Sequence, residues 1–105
     1  MASASFDELI HASTRLNIVA LLSAADWVDF AFVRDALQLS DSALSKQFAA
    51  LESAGYIATE RRLSDRRQRV RVRLTQTGRD AFDGHVAALR AIIDKADDQA
   101  RSSAS

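Results

Sequence analysis

Residues 40–78 read SDSALSKQFAALESAGYIATERRLSDRRQRVRVRLTQTG, and they decide the fold because two different periodicities succeed each other within them. Ser40, Asp41 and Ser42 suit a helix start, where a hydroxyl accepts from the first free N–H groups and acidic charge meets the positive end of the dipole. Ala43, Leu44, Phe48 and Leu51 then recur at helical spacing. Gly55 stands where a left-handed residue ends such a helix. Residues 56–63 read as extended and 64–68 as a loop, after which Val70, Val72 and Leu74 alternate with Arg69, Arg71 and Arg73. Period two describes a strand with one face on a core and its guanidiniums on the other, about 6.6–6.8 Å apart. The two strands make one hairpin.

Upstream, Phe30, Val33, Ala36 and Leu37 mark about two turns of amphipathic helix, preceded by a polar connection with a brief extended piece at 26–29. Ser5-Phe6-Asp7-Glu8 reads as a capping box, in which Glu8 reaches back to the Ser5 N–H. Two further helices follow from it, over about 6–12 and 14–24, either separate or fused, the second capped by Ser13-Thr14. Downstream, Thr75 opens a last helix whose Phe82, Val86, Leu89 and Ile93 are spaced by four, three and four, a seam that continues to Ala96. The small polar tail at 101–105 is expected to fray. The reading is mainly α with a small β-hairpin wing, a winged helix-turn-helix with a long C-terminal helix, in one domain over 1–100.

Composition agrees and excludes much. The chain has 105 residues, 48% of them hydrophobic, with three glycines, no proline and no cysteine. Without cysteine there is no disulfide, no thiolate zinc site and no Cys nucleophile. Apolar residues never run beyond the five at 18–22, so no segment can span a bilayer, and the N-terminus lacks the pattern of a signal peptide. A cytoplasmic protein is expected.

Fourteen basic residues balance fourteen acidic ones, but the balance hides a separation. Residues 61–73 hold seven arginines and one acid, Asp65, leaving +6 there and −6 on the rest. Because charges farther apart than about 8–10 Å are screened in physiological salt, a polyanion would feel that patch. Arginines paired with carboxylates of the same surface are the plainer alternative.

An α-helix fits the major groove of DNA, so the helix over 41–54 would enter it while the helix from Phe30 braces it. Opposite the buried stripe lie Ser42, Ser45, Lys46, Ala49 and Ser53, with Gln47 on a flank. Lys46 can donate to phosphate or guanine, Gln47 can pair with adenine if it turns outward, and the serines suit either phosphate or base. An ordinary solvated helix face is the competing account. In the wing, Arg61, Arg62 and Arg69 join Arg66 and Arg67, the last two at the tip, where a guanidinium meets the negative potential of a narrow minor groove. Asp65 can orient one of them, serve turn chemistry through an Asx-type bond to the backbone two residues on, or do both.

The run Ser42-Ala43-Leu44-Ser45-Lys46-Gln47-Phe48, then Leu51-Glu52-Ser53-Ala54-Gly55-Tyr56-Ile57, then Asp65-Arg66-Arg67, then Leu74-Thr75-Gln76-Thr77-Gly78, resembles bacterial winged-helix transcriptional regulators of the MarR and ArsR type. The likeness covers nearly the whole chain, and the Asp-Arg-Arg wing is closer to MarR proteins. It implies a recognition helix from Asp41, a wing tip at 65–67, and homodimers that repress transcription from pseudo-palindromic operators. Asp83-Gly84-His85 imitates half of an ArsR metal site, but no histidine stands near Ala96 or Gln99. No metal or other cofactor is expected, and His85 and His11 read as solvated or interface imidazoles.

A monomer reads few base pairs, so two copies about 34 Å apart are the expected solution. Phe6, Leu9 and Ile10 of the first helix, with Phe82, Val86, Leu89, Ile92 and Ile93 of the last, exceed what a small core needs and are expected to supply a dimer surface, the alternative being that the terminal helices simply pack on their own core. No nucleophile elbow or phosphate-cradling loop occurs, so no enzyme is expected. The rival to DNA binding is a winged-helix interaction or dimerisation module that grips an acidic partner.

Overall fold

The computed structural model describes residues 4–104, which run α1 (Glu8–His11), α2 (Ser13–Ser23), β1 (Val28–Asp29), α3 (Phe30–Ala36), α4 (Asp41–Ser53), β2 (Ile57–Ser64), β3 (Arg67–Leu74) and α5 (Gln76–Ala104). The helix-turn-helix, hairpin and long final helix stand where the periodicities place them. The sheet has three strands rather than two. Its order is β1-β3-β2, all antiparallel, because the brief extended piece pairs Val28 with Val72 and Asp29 with Arg71.

The N-terminus departs from expectation. Asp7, not Ser5, caps α1: its Oδ1 accepts from the Ile10 N–H at 3.0 Å. The Ser5 N–H instead donates to the Gly84 carbonyl on α5 at 2.9 Å, so the donor Glu8 would have claimed is already taken. α1 and α2 are separate helices, broken at Ala12 by an extended ψ of 128°. Ala12 itself occupies the cap of α2, and neither Ser13 nor Thr14 fills that role.

α2, α3 and α4 close on the hairpin around Ile18, Leu22, Val33, Leu44, Leu51 and Val72, all fully buried. Ile10 joins this core at 0% exposure. It therefore cannot serve an external dimer face, because its single-chain neighbours already surround it. His85 is also fully buried, in a ring cluster with Phe6 at 4.8 Å and His11 at 5.4 Å between centroids. That corrects the expectation of an exposed or interface imidazole. Its Nδ1 accepts the Asp7 N–H at 3.0 Å, tying the start of α1 to α5.

α5 is 29 residues long, about 43 Å at 1.5 Å per residue. Its first turns pack on the core through Ala81 and Phe82, whereas residues 90–103 are exposed throughout. Residues 101–104 continue the helix instead of fraying, with the Arg101 guanidinium 2.7 Å from the Asp98 carboxylate one turn back. Of the remaining seam residues, Leu9, Phe82 and Leu89 are half-buried, and Phe6, Val86, Ile92 and Ile93 are exposed. Among the described residues no helix is long and apolar enough to cross a membrane.

Candidate nucleic-acid interface

α4 is fixed at both ends by its own sequence. The Ser40 hydroxyl accepts from the Ala43 N–H at 3.1 Å. At the other end the Gly55 N–H bonds the Glu52 carbonyl and the Tyr56 N–H the Leu51 carbonyl, with Gly55 at φ 79°. This is a Schellman ending, and it turns the chain straight into β2. The turn before α4 uses Gln38 at φ 55°, a left-handed conformation that side chains other than glycine seldom take.

Packing then sets the direction of α4. Phe48 meets Phe30 of α3 edge-on, with centroids 5.5 Å apart and planes at 90°. Arg34 of α3 reaches the Asp41 carboxylate at 2.8 Å and Asp35 at 2.9 Å. Those two hydrogen-bonded carboxylates push the Arg34 pKa above its ordinary value, Asp35 contributing most. On the wing side the Thr59 hydroxyl donates to Glu52 at 2.7 Å.

Held in this way, α4 exposes Ser42, Ser45, Lys46 and Ala49. Gln47 does not turn outward. It is half-buried, and its Oε1 accepts from Arg15 Nη1 at 2.9 Å while Arg15 Nε donates to the Leu9 carbonyl at 2.6 Å. Arg15 thus links α1, α2 and α4. Nothing in its sequence neighbourhood marks it, because the contact joins residues 32 apart.

The wing is tighter than the five-residue loop expected. Ser64 pairs with Arg67, so only Asp65 and Arg66 span the turn, with φ of 51° and 64°. Two positive φ values define the type I′ geometry, whose twist matches that of the strands. Asp65 takes the first central position of the turn, and among the described residues no ion pair joins it to Arg66 or Arg67.

Strand pairing sorts the arginines by face. Arg61, opposite Val70, shares with Ser45, Ala49, Glu52 and Thr59 a cleft of about 490 Å³ between α4 and the hairpin. Arg62 and Arg69 lie directly opposite each other on the reverse face, in line with Arg71 and Arg73. That reverse face is partly neutralised. Arg71 reaches Glu60 at 3.0 Å, Arg62 reaches Glu60 at 3.9 Å, and Arg69 reaches Asp29 at 3.6 Å. Arg71 and Arg73 also cover the Trp27 ring at 4.3 and 5.1 Å from its centroid. Trp27 had no assigned role in the sequence, since a single Trp in a polar connection carries no periodicity. Arg61, Arg66 and Arg67 are exposed and, among the described residues, paired with no carboxylate. No group of three or more His, Cys, Asp or Glu able to hold a metal occurs among the described residues.

A family model described as a winged helix DNA-binding domain matches residues 14–93. Among solved structures, the chain is similar to a transcriptional regulator homologue from Pyrococcus horikoshii OT3, at 25% identity and a TM-score of 0.82, covering 87% of this chain and 90% of that one. A MarR family transcriptional regulator from Silicibacter pomeroyi matches at 28% identity and a TM-score of 0.62, over 83% of this chain and 57% of that one. FabT of Streptococcus pneumoniae, solved in complex with DNA, matches at 25% identity and a TM-score of 0.63, over 83% and 59%. The chain thus spans less than two thirds of the length of the latter two.

Proposed function

The chain belongs to the winged helix DNA-binding domain family, and from that premise we propose that it is a dimeric transcriptional repressor of MarR type that binds a pseudo-palindromic operator. α4 enters the major groove with Ser42, Ser45 and Lys46 toward the bases, and Gln47 acts from behind by holding Arg15. Arg66 and Arg67 enter the adjacent minor groove. Arg61 follows the backbone between them, and Arg62 and Arg69 add positive field from the reverse face.

The observation that carries this reading is the selective pairing of the wing. Carboxylates of the same molecule partly neutralise the reverse face through Arg62, Arg69 and Arg71, whereas among the described residues the guanidiniums of Arg61, facing α4, and of Arg66 and Arg67, at the tip, meet none. A winged helix that merely decorated a scaffold would have no reason to leave three guanidiniums open beside a helix of small polar side chains. The FabT relative, solved with DNA, supports the same polyanion over an acidic protein partner.

The second copy docks on the seam of Val86, Leu89 and Ile93, with Phe6, Leu9 and Phe82 at its base. Exposed Ile92 and Ile93, at 57% and 58%, lie on the part of α5 at 90–103 where every residue is exposed.

Salt dependence tests the proposal. Phosphate contacts release counterions, so a dimer making about six to eight of them loses affinity with a log-log slope near −5 to −7. Alanine at Arg61, Arg66 and Arg67 together should make that slope shallower by several, whereas Lys46→Ala should cost about 1–3 kcal/mol on operator but less on random DNA. An unchanged slope in the triple variant would show that the wing never meets phosphate.

A further inference from the structure

Leu63 is the single apolar side chain in the arginine-rich run at 61–69, and it is 73% exposed. The strand ladder fixes where it lies. Ile57, Thr59, Arg61 and Leu63 fall on one face of β2, opposite Leu74, Val72, Val70 and Gln68 of β3. At the base of the hairpin that face is core, with Ile57, Val72 and Leu74 buried. Farther out it runs beside α4, where Arg61 and Val70 line the cleft shared with Ser45 and Ala49, and Leu63 comes one step beyond, next to the turn of Asp65 and Arg66. It stands six residues from Ile57, about 20 Å along the strand, and so far from the core that would otherwise take up a leucine. β2 is also an edge strand, where an exposed apolar side chain invites mispairing that a charged residue would prevent.

We propose that Leu63 is a specificity-determining residue of the DNA interface, entering the minor groove beside Arg66 and Arg67 and packing on sugars and base edges there. This rests on the reading of the chain as a DNA-binding regulator, and it adds what the guanidiniums do not supply. Arg61, Arg66 and Arg67, exposed and among the described residues without a carboxylate partner, draw a polyanion onto this face. Their charge answers to phosphate on any sequence. A branched apolar side chain finds no partner in a phosphate and gains only where it leaves water, against sugars or between bases. Duplexes differ in how readily the minor groove widens or a base step opens to admit such a wedge, pyrimidine–purine steps yielding most easily. Leu63 thus converts the deformability of the DNA into sequence preference at positions where no hydrogen bond reads a base.

The test selects bound fragments from random DNA with the wild-type chain, with Leu63→Ser and with Leu63→Met. Leu63→Ser should bind the wild-type operator about tenfold more weakly but random DNA by less than about threefold. Its salt slope, Tm and far-ultraviolet circular dichroism should stay as in wild type, because an exposed residue that touches no phosphate contributes to none of them. Base preferences beneath the wing should flatten while those beneath α4 persist. Leu63→Met keeps an apolar side chain and should retain most of the affinity and the motif. Equal losses on operator and random DNA, an altered salt slope, or an unchanged motif in Leu63→Ser would overturn the proposal. Failure of the underlying reading looks different: the wild-type chain itself then selects no motif and binds DNA without the steep salt dependence, which removes this role of Leu63 with it.

Discussion

The carbonyl oxygen of Tyr56 lies where a side chain at Gly78 would have to begin: a Cβ built on Gly78 would stand 2.1 Å from that oxygen and 2.8 Å from Leu74 Cδ1. The oxygen cannot retreat, because it accepts the Thr75 N–H at 2.9 Å and so joins the end of β3 to the start of β2. Gly78→Ala should therefore force α5 away from the sheet and cost about 2–3 kcal/mol, lowering the Tm by about 10 °C or more. Thermal melts of wild type and variant check it; an unchanged Tm would mean that α5 slides at no cost.

The Tyr56 phenol donates to the Asp7 carboxylate, tying the β2 entrance to the α1 cap. That hydrogen bond, aided by burial and by the negative charge of Asp7, pushes the Tyr56 pKa up to about 12 from an ordinary value near 10. The folded chain thus holds this proton more tightly than the unfolded chain, so the contribution is whole below about pH 10 and fades as the pH rises to about 12. Tyr56→Phe should cost about 1–2 kcal/mol at pH 8, and the difference from wild type in urea unfolding should vanish by pH 12. Tyr56 is the sole tyrosine, so tyrosinate absorbance reads the titration directly.

Arg66 keeps a left-handed φ of 64° at the second central position of the hairpin turn, where glycine fits best. Arg66→Gly should stabilise the domain by about 0.5–1 kcal/mol while weakening DNA binding. Opposite movements of Tm and DNA affinity would show strain retained for contact. A parallel fall in both would assign Arg66 to the fold instead.

Ile93 is 58% exposed on α5, within the stretch at 90–103 where every residue is exposed. Ile93→Glu should therefore change the stability of the single chain by no more than about 0.5 kcal/mol, yet convert dimers to monomers in light scattering. A dimer that survives the change would place the interface elsewhere.

Local chemistry made much of this molecule legible. The Ser40 cap, the Leu44, Phe48 and Leu51 stripe, the Gly55 ending and the alternation from Arg69 to Leu74 each express a rule operating within a few residues, and each stands as read. The Asp7 cap was not legible, because the choice between Asp7 and Ser5 depends on the Gly84 carbonyl nearly eighty residues away.

The same division runs through the site. Residue order alone determined that a polar helix would precede a cationic hairpin, since helix and strand periods are properties of neighbours along the chain. Tertiary packing decided which of those residues remained available. Arg15 claimed Gln47, Trp27 and Glu60 claimed Arg71, and the core claimed Ile10 and His85. A partner distant in sequence leaves no local pattern, and a guanidinium reads alike in the sequence whether it later faces a carboxylate or open solvent.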